Sequence, residues 1–243
     1  MKIANKILSN LKNIIFLFFR LKNIIDWASK DFPLRRQFGQ CAVNTILQYP
    51  IAIDSPQNVY LEENTHIRPN VKILNSPSEK VIIKKYSVLA PGVTIITNSH
   101  RSTVSIPQFL LGKSHINDKS TDIIIEEDVW VGAEALLLPG CHLGRGCIVG
   151  ARAMVNTEVP PYCLVVGSPA KIIKIKFTID QIIKHESSIY PEEERLTRSY
   201  LEALFANLPI DLSVYGIETE LSKEDLKKIE NLKKMVHFVE PDL

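Results

Sequence analysis

Aliphatic residues return every six positions through the middle of the chain. Ile125, Val131, Leu137, Leu143, Val149 and Val155 keep the beat, and each is followed four residues later by a small or β-branched residue. Those followers are Val129, Ala135, Cys141, Cys147, Ala153 and Val159. The pattern is also present earlier, in Leu61–Thr65, Ile67–Val71, Ile83–Ser87 and Leu89–Val93, with Ile73 and Ile95 opening further hexads. An amphipathic helix repeats near 3.6 residues and a half-buried strand at 2. A period of six fits a very short strand, a corner and another short strand.

Such a chain winds into a solenoid with three flat sides and about 18 residues per coil, each coil hydrogen-bonded to its neighbours rather than to itself. The first residue of a hexad points into a narrow core, and the fifth must be small to fit beside a corner. Pro91-Gly92 and Pro139-Gly140 supply tight turns at such corners, since proline presets φ and glycine accepts positive φ. A β-sandwich would alternate at period two with irregular spacing, which six unbroken hexads contradict. Cys141 and Cys147 hold fifth positions and read as small buried hydrophobes rather than as metal or disulfide partners.

Two insertions interrupt the count. One lies around Asn75 to Lys80. The other, about 98–122, ejects a loop of a length that is usually functional in a compact domain. Outside the hexads the spacing turns helical. Ile7, Leu11, Ile14, Phe18, Leu21 and Ile25 lie on one face of an N-terminal helix, and Thr178, the acidic turn after Pro191, and Ser222 with Asp225 mark helix starts in the tail. The expected organisation is therefore a helical extension over 1–50, a solenoid over 51–177 and a helical extension over 178–243.

Composition narrows the function classes. The 243 residues are 45% hydrophobic and 23% charged with a net charge of +2, ordinary for a globular protein and without the basic excess expected of a nucleic-acid binder. Four cysteines, none in a CxxC pair, point to the reducing cytoplasm. The apolar run Ile14–Phe19 is bracketed by Lys12 and Arg20 and is too short to span a bilayer. With Lys2, Lys6, Lys12, Arg20 and Lys22 it could instead lie on the inner membrane face, or pack on the solenoid or a partner subunit.

The stretch VWVGAEALLLPGCHLGRGCIVGARAMVNTEVPPYCLVVGSPAKII resembles the signature of the hexapeptide-repeat acyltransferases. The resemblance spans about residues 51–177. It is to the branch with galactoside, maltose and antibiotic acetyltransferases and bacterial polysaccharide O-acetyltransferases. It implies a left-handed parallel β-helix, a homotrimer, and acetyl-CoA bound in the cleft between subunits, with no metal. It also implies that His100, in TNSHRS at the root of the long loop, is a general base. A sugar hydroxyl is too weak an acid to attack a thioester unaided, and a neutral imidazole is suited to take its proton.

By the same resemblance Trp130 borders the active site, as a wall for the acetyl group or a stacking face for a sugar. Ala133 and Ala151 line the pantetheine arm. Asn156 and Thr157 stand where the family has a Thr-Lys pair, so the match there lacks its lysine. Lys171 and Lys174 fall near the nucleotide phosphates. Asn98, beside His100, could orient the acceptor through its amide.

His115 shares the loop with His100 and is the alternative base. His66 and His142 read as solvated corner residues, and His185 and His237 as exposed tail residues. A γ-class carbonic anhydrase needs three converging zinc-binding histidines, and His100 lacks partners at that spacing. A serine acetyltransferase would bring a longer N-terminal domain. The readings kept open are O-acetylation of a sugar hydroxyl in a capsular or lipopolysaccharide glycan, N-acetylation of a sugar nucleotide, acetylation of an antibiotic, and a non-enzymatic tethering solenoid.

Overall fold

A computed structural model of the chain describes residues 32–208 and 213–241. The N-terminal helix expected between Ile7 and Ile25, and any membrane contact through it, lie outside those residues. The chain divides into two compact units at Phe38/Gly39. The described part of the first holds a short helix, α1 (Phe32–Arg35).

The second unit is the solenoid and its tail. Two- and three-residue strands stack in parallel on three faces. Face one runs from Gln40–Cys41 through Val59–Leu61, Val81–Ile83, Ile123–Ile125 and His142–Leu143 to Glu158–Val159. Face two includes His66–Ile67, Val88–Leu89, Trp130–Val131 and Ile148–Val149, and face three includes Lys72–Leu74, Thr94–Ile96, Leu136–Leu137 and Met154–Val155. Ile125 registers with Leu143, Val131 with Val149 and Leu137 with Val155, each pair 18 positions apart. The first coil begins at Gln40, with Ile46–Leu47 already paired to His66–Ile67. The boundary expected at residue 50 therefore falls about ten residues late. The earlier coil lacks a clean hexad, so the periodicity did not reach it.

The core follows the hexad rule. Ile125, Val131, Leu137, Leu143 and Val149 are fully buried, as are Ala135, Cys147 and Ala153 at fifth positions. Polar fifth residues are satisfied locally: Ser87 donates to the Glu126 carbonyl (2.7 Å) and accepts from the Val129 amide (3.0 Å). Burial pushes the Cys141 and Cys163 thiols up to about 12, in keeping with an inert structural role. Where the first insertion interrupts the coil, buried Asn75 exchanges two hydrogen bonds with the Ser55 backbone, replacing a missing peptide pair.

The upper end is closed by the tail. Strand Cys163–Gly167 turns back on Ala170–Ile175 as an antiparallel hairpin, against which α3 (Ile179–Ile189) and α4 (Arg198–Ala206) pack. Tyr162, Ile175, Ile182, Leu201 and Phe205 form the capping core. Inside it, buried Glu186 accepts from Tyr162 Oη (2.9 Å), Arg145 Nη1 (3.1 Å) and the Leu196 amide (2.9 Å). A buried carboxylate is tolerated only with this degree of pairing. Thr178 and Ser222 cap α3 and α5 (Lys223–Met235) as expected. The acidic turn after Pro191 is a separate short turn, Glu192–Glu194, and Thr197 starts the following helix afresh. Among the described residues no helix is long and apolar enough to cross a membrane.

Candidate active site

The long insertion leaves face three after Ile96 and is pinched at its root. Asn98 pairs with Ser120 and Ser99 with Lys119 in an antiparallel ribbon, so the residues just beyond, His100 and Asp118, meet at one end of it. Nδ1 of His100 lies 2.9 Å from Oδ1 of Asp118. The other carboxylate oxygen, Oδ2, lies 3.0 Å from Nδ1 of His115. The two imidazole centroids are 5.3 Å apart.

Between the roots, α2 (Gln108–Ser114) is anchored by fully buried Leu111. It ends at His115 in the left-handed conformation (φ 56°), unusual for a side chain with a Cβ, and this returns the chain toward His100. Gly112 stands beside the ring: a Cβ there would lie 3.9 Å from Nε2 of His100.

The electrostatics are those of a carboxylate shared by two imidazoles. The hydrogen bond with His100 holds the Asp118 carboxyl below its ordinary range, against a desolvation cost and with a further contribution from His115. A carboxylate can only accept, so a neutral His100 must carry its proton on Nδ1. Nε2 then keeps its lone pair, and the His100 side chain borders a cavity. That cavity, about 850 Å³, is lined by Asp54, Leu74, Asn75, Asn98, His100 and His115 among others.

A second groove of about 630 Å³ lies across the outside of face two and reaches the corner that follows it. Its floor is small and apolar, with Gly132, Ala133, Gly150, Ala151, Val88 and Ile148. Trp130, 46% exposed, projects from face two, Tyr215 approaches from the tail, and Asp128 with Lys176 close one edge. Asp128 accepts from Lys176 Nζ (2.7 Å) and pairs with His185 Nε2 (3.2 Å).

The expected site residues thus fall into three groups. Asn98 and His100 share the first cavity. Trp130, Ala133 and Ala151 share the second groove. Asn156 and Thr157 are exposed at the corner after Met154–Val155, and Lys171 and Lys174 sit on the last strand opposite Val166 and Leu164. These four line neither cavity. Asp118, Gly112 and Tyr215 were missed from sequence, because a loop or tail without period gives no register by which to place them. His115 and Asp118 at i, i+3 in the excursion were the available signal.

Other histidines differ from expectation. His185 is half-buried and bonded to Asp128 rather than exposed. His66 and His142 stand on strands rather than corners. His142 pairs with Glu126 (2.9 Å). Nε2 of His66 is buried without a partner among the described residues, and burial, with Arg68 nearby, lowers its pKa.

Residues 122–157 match the family profile "Bacterial transferase hexapeptide (six repeats)". A Lysinibacillus sphaericus protein described as a probable macrolide acetyltransferase is 31% identical over 160 residues, which cover 60% of this chain and 84% of that protein. The chain belongs to the hexapeptide-repeat acetyltransferases. A Klebsiella aerogenes chloramphenicol acetyltransferase is 44% identical over 64 residues, which are 26% of this acetyltransferase and only 30% of its relative. Among solved structures, a Vibrio cholerae hexapeptide-repeat acetyltransferase complexed with acetyl coenzyme A is 26% identical, with a TM-score of 0.53. The match covers 61% of this chain and 76% of that one. The profile takes in Trp130, Ala133, Ala151, Asn156 and Thr157, whereas His100 and Asp118 lie outside it. The protein is an acetyl-CoA-dependent acyltransferase, with a small-molecule acceptor.

Proposed function

We propose that this acetyltransferase moves the acetyl group of acetyl-CoA directly to a sugar hydroxyl, of the kind carried by bacterial capsular and lipopolysaccharide glycans, with His100 as general base. The observation that carries the reading is the His100–Asp118 contact. It leaves Nε2 as the acceptor nitrogen of a residue that lines a cavity large enough for a sugar. Nε2 takes the hydroxyl proton as the oxygen attacks the thioester carbonyl, the C–S bond breaks, and the imidazolium returns the proton to the departing sulfur. No covalent enzyme intermediate is needed.

The second groove suits the donor. Ala133 and Ala151 present no bulk, and Val88 and Ile148 give an apolar wall to a pantetheine arm. Lys171 and Lys174, beyond the groove, are the cations proposed for the nucleotide phosphates, and Asn156 and Thr157 are proposed for the cofactor on the resemblance alone. Trp130 would wall the acetyl end and Asn98 would orient the acceptor amide-first. In one chain His100 follows face three, whereas the groove lies over face two. The reading therefore includes a homotrimer in which the loop of one subunit lies over the groove of the next.

A second reading, transfer to an antibiotic hydroxyl, is favoured by the relatives named for macrolide and chloramphenicol acetylation. The test is thiol release from acetyl-CoA across a panel of glycans, amino-sugar nucleotides and antibiotics, with His100→Ala in parallel. Turnover on glycans with a loss of about 10² or more in kcat for the variant supports the proposal. Near-normal turnover in the variant removes His100 from the chemistry, and acetylation of amines alone overturns the hydroxyl acceptor.

A further inference from the structure

One ring nitrogen from each of His100 and His115 and a carboxylate oxygen of Asp118 lie within 4.8 Å of one another, and it is Nδ1 of each ring that contacts Asp118. The trio is the one such three-ligand group among the described residues. Two imidazoles and a carboxylate are a common ligand set for first-row divalent ions. In a tetrahedral zinc site with arms of about 2.05 Å, ligand atoms stand roughly 3.3 Å apart. The Asp118 oxygens already stand 2.9 and 3.0 Å from the two nitrogens, so small side-chain rotations would open the required gap. The three ligands come from the two ends of one excursion, and His100 and His115 are exposed enough for an ion to reach them.

We propose that this trio binds a divalent ion of the zinc type reversibly, and that the bound ion switches the enzyme off. The consequence follows from proton placement. With Asp118 as partner, each neutral ring holds its proton on Nδ1. An ion at both Nδ1 atoms takes those lone pairs, and each proton moves through solvent to Nε2. No proton is lost from the neutral rings and nothing is oxidised or reduced. His100 then presents an N–H to the acceptor cavity where it had presented a lone pair, and the base is gone. Three protein ligands leave a fourth position for water, facing the cavity.

The binding half stands on geometry alone, whereas the switching half rests on the general-base reading of His100. The two are separated by titrating the chelator-treated, untagged protein with Co2+ and recording visible absorption, beside acetyl transfer at the same ion concentrations. Bands of tetrahedral cobalt that saturate at one ion per chain, with activity falling in step and returning on addition of chelator, are the expected result. His115→Asn and Asp118→Asn should each weaken the spectral titration at least about tenfold. Whatever turnover His115→Asn retains should then resist the ion. Failure to bind Co2+ or Zn2+ below millimolar concentration overturns the site, and so do bands unchanged in both variants. Bands with undiminished turnover overturn the switch alone. Because the spectrum is read without any acceptor, an error about the acetylated substrate would leave the binding result intact.

Discussion

The carboxylate of Asp118 is shared: one oxygen contacts Nδ1 of His100 at 2.9 Å and the other contacts Nδ1 of His115 at 3.0 Å. Asp118 therefore fixes which nitrogen of a neutral His100 keeps its lone pair. Asp118→Asn keeps the size of the side chain but can donate to Nδ1, which favours the tautomer with its proton on Nε2. The expected loss in kcat is about 10²-fold or more with little change in KM for acetyl-CoA, as for misplaced tautomers in other histidine bases. Because the two residues act as one unit, the double variant with His100→Ala should be no slower than His100→Ala alone.

The proposed assembly of the site from two subunits predicts complementation. His100→Ala retains a normal groove, and Ala151→Trp fills the groove while keeping His100. Each should be inactive alone. Subunits co-refolded from the two should recover a fraction of wild-type turnover, and sedimentation should give the mass of three chains. Persistent inactivity in verified mixed trimers would place both halves of the site within one chain.

Acid should loosen the tail first. Burial pushes the Asp128 carboxyl up, but the hydrogen bond with His185 and the charge of Lys176 outweigh it and hold the pKa below the ordinary 3.8. A depressed carboxylate contributes stability that is complete above its unfolded value and is lost as pH falls through the folded one. Melting temperatures between pH 6 and pH 2.5 should therefore drop more steeply in the wild type than in Asp128→Asn below about pH 4. Parallel curves would refute the assignment.

The solenoid core should respond to volume. Leu137 is fully buried on face three, and Leu137→Ala should cost about 2–5 kcal/mol in urea unfolding. Two corner glycines make a sharper comparison. A Cβ at Gly132 would meet the Ala151 backbone nitrogen at 2.5 Å, whereas one at Gly150 would meet the Val166 side chain at 2.8 Å. A side chain can rotate and a stacked backbone cannot, so Gly132→Ala should destabilise more than Gly150→Ala.

The buried thiols should stay silent. With Cys141 and Cys163 held up to about 12 and the Cys147 thiol also pushed well up by its burial, a thiol reagent at pH 8 should modify none of the three until the protein unfolds. Stoichiometric labelling of the native protein at any of them, read by peptide mass, would contradict their burial.

The hexads were legible because the core position recurs at fixed spacing and admits only aliphatic residues: Val131, Leu137 and Leu143 could be placed without any structure. Ala133, Ala151 and Trp130 were singled out by the family resemblance rather than by the period, and they line one groove. The period could not reach Asp118, whose partnership with His100 depends on a two-residue ribbon between Asn98–Ser99 and Lys119–Ser120 that leaves no pattern in the chain. Nor could it show that His185 turns inward to Asp128, because that contact joins the tail to a corner 57 positions away.

The ribbon at the root of the excursion has a wider consequence. Ile95 and Ile125 are both fully buried on either side of it, so the winding resumes in phase as though the intervening residues were absent. What is spliced between Ser99 and Lys119 leaves the phase of the coils unchanged, although buried Leu111 anchors its present content. New excursions could be exchanged there like cartridges, letting one barrel-like frame be retuned to different acceptors without re-solving its own packing.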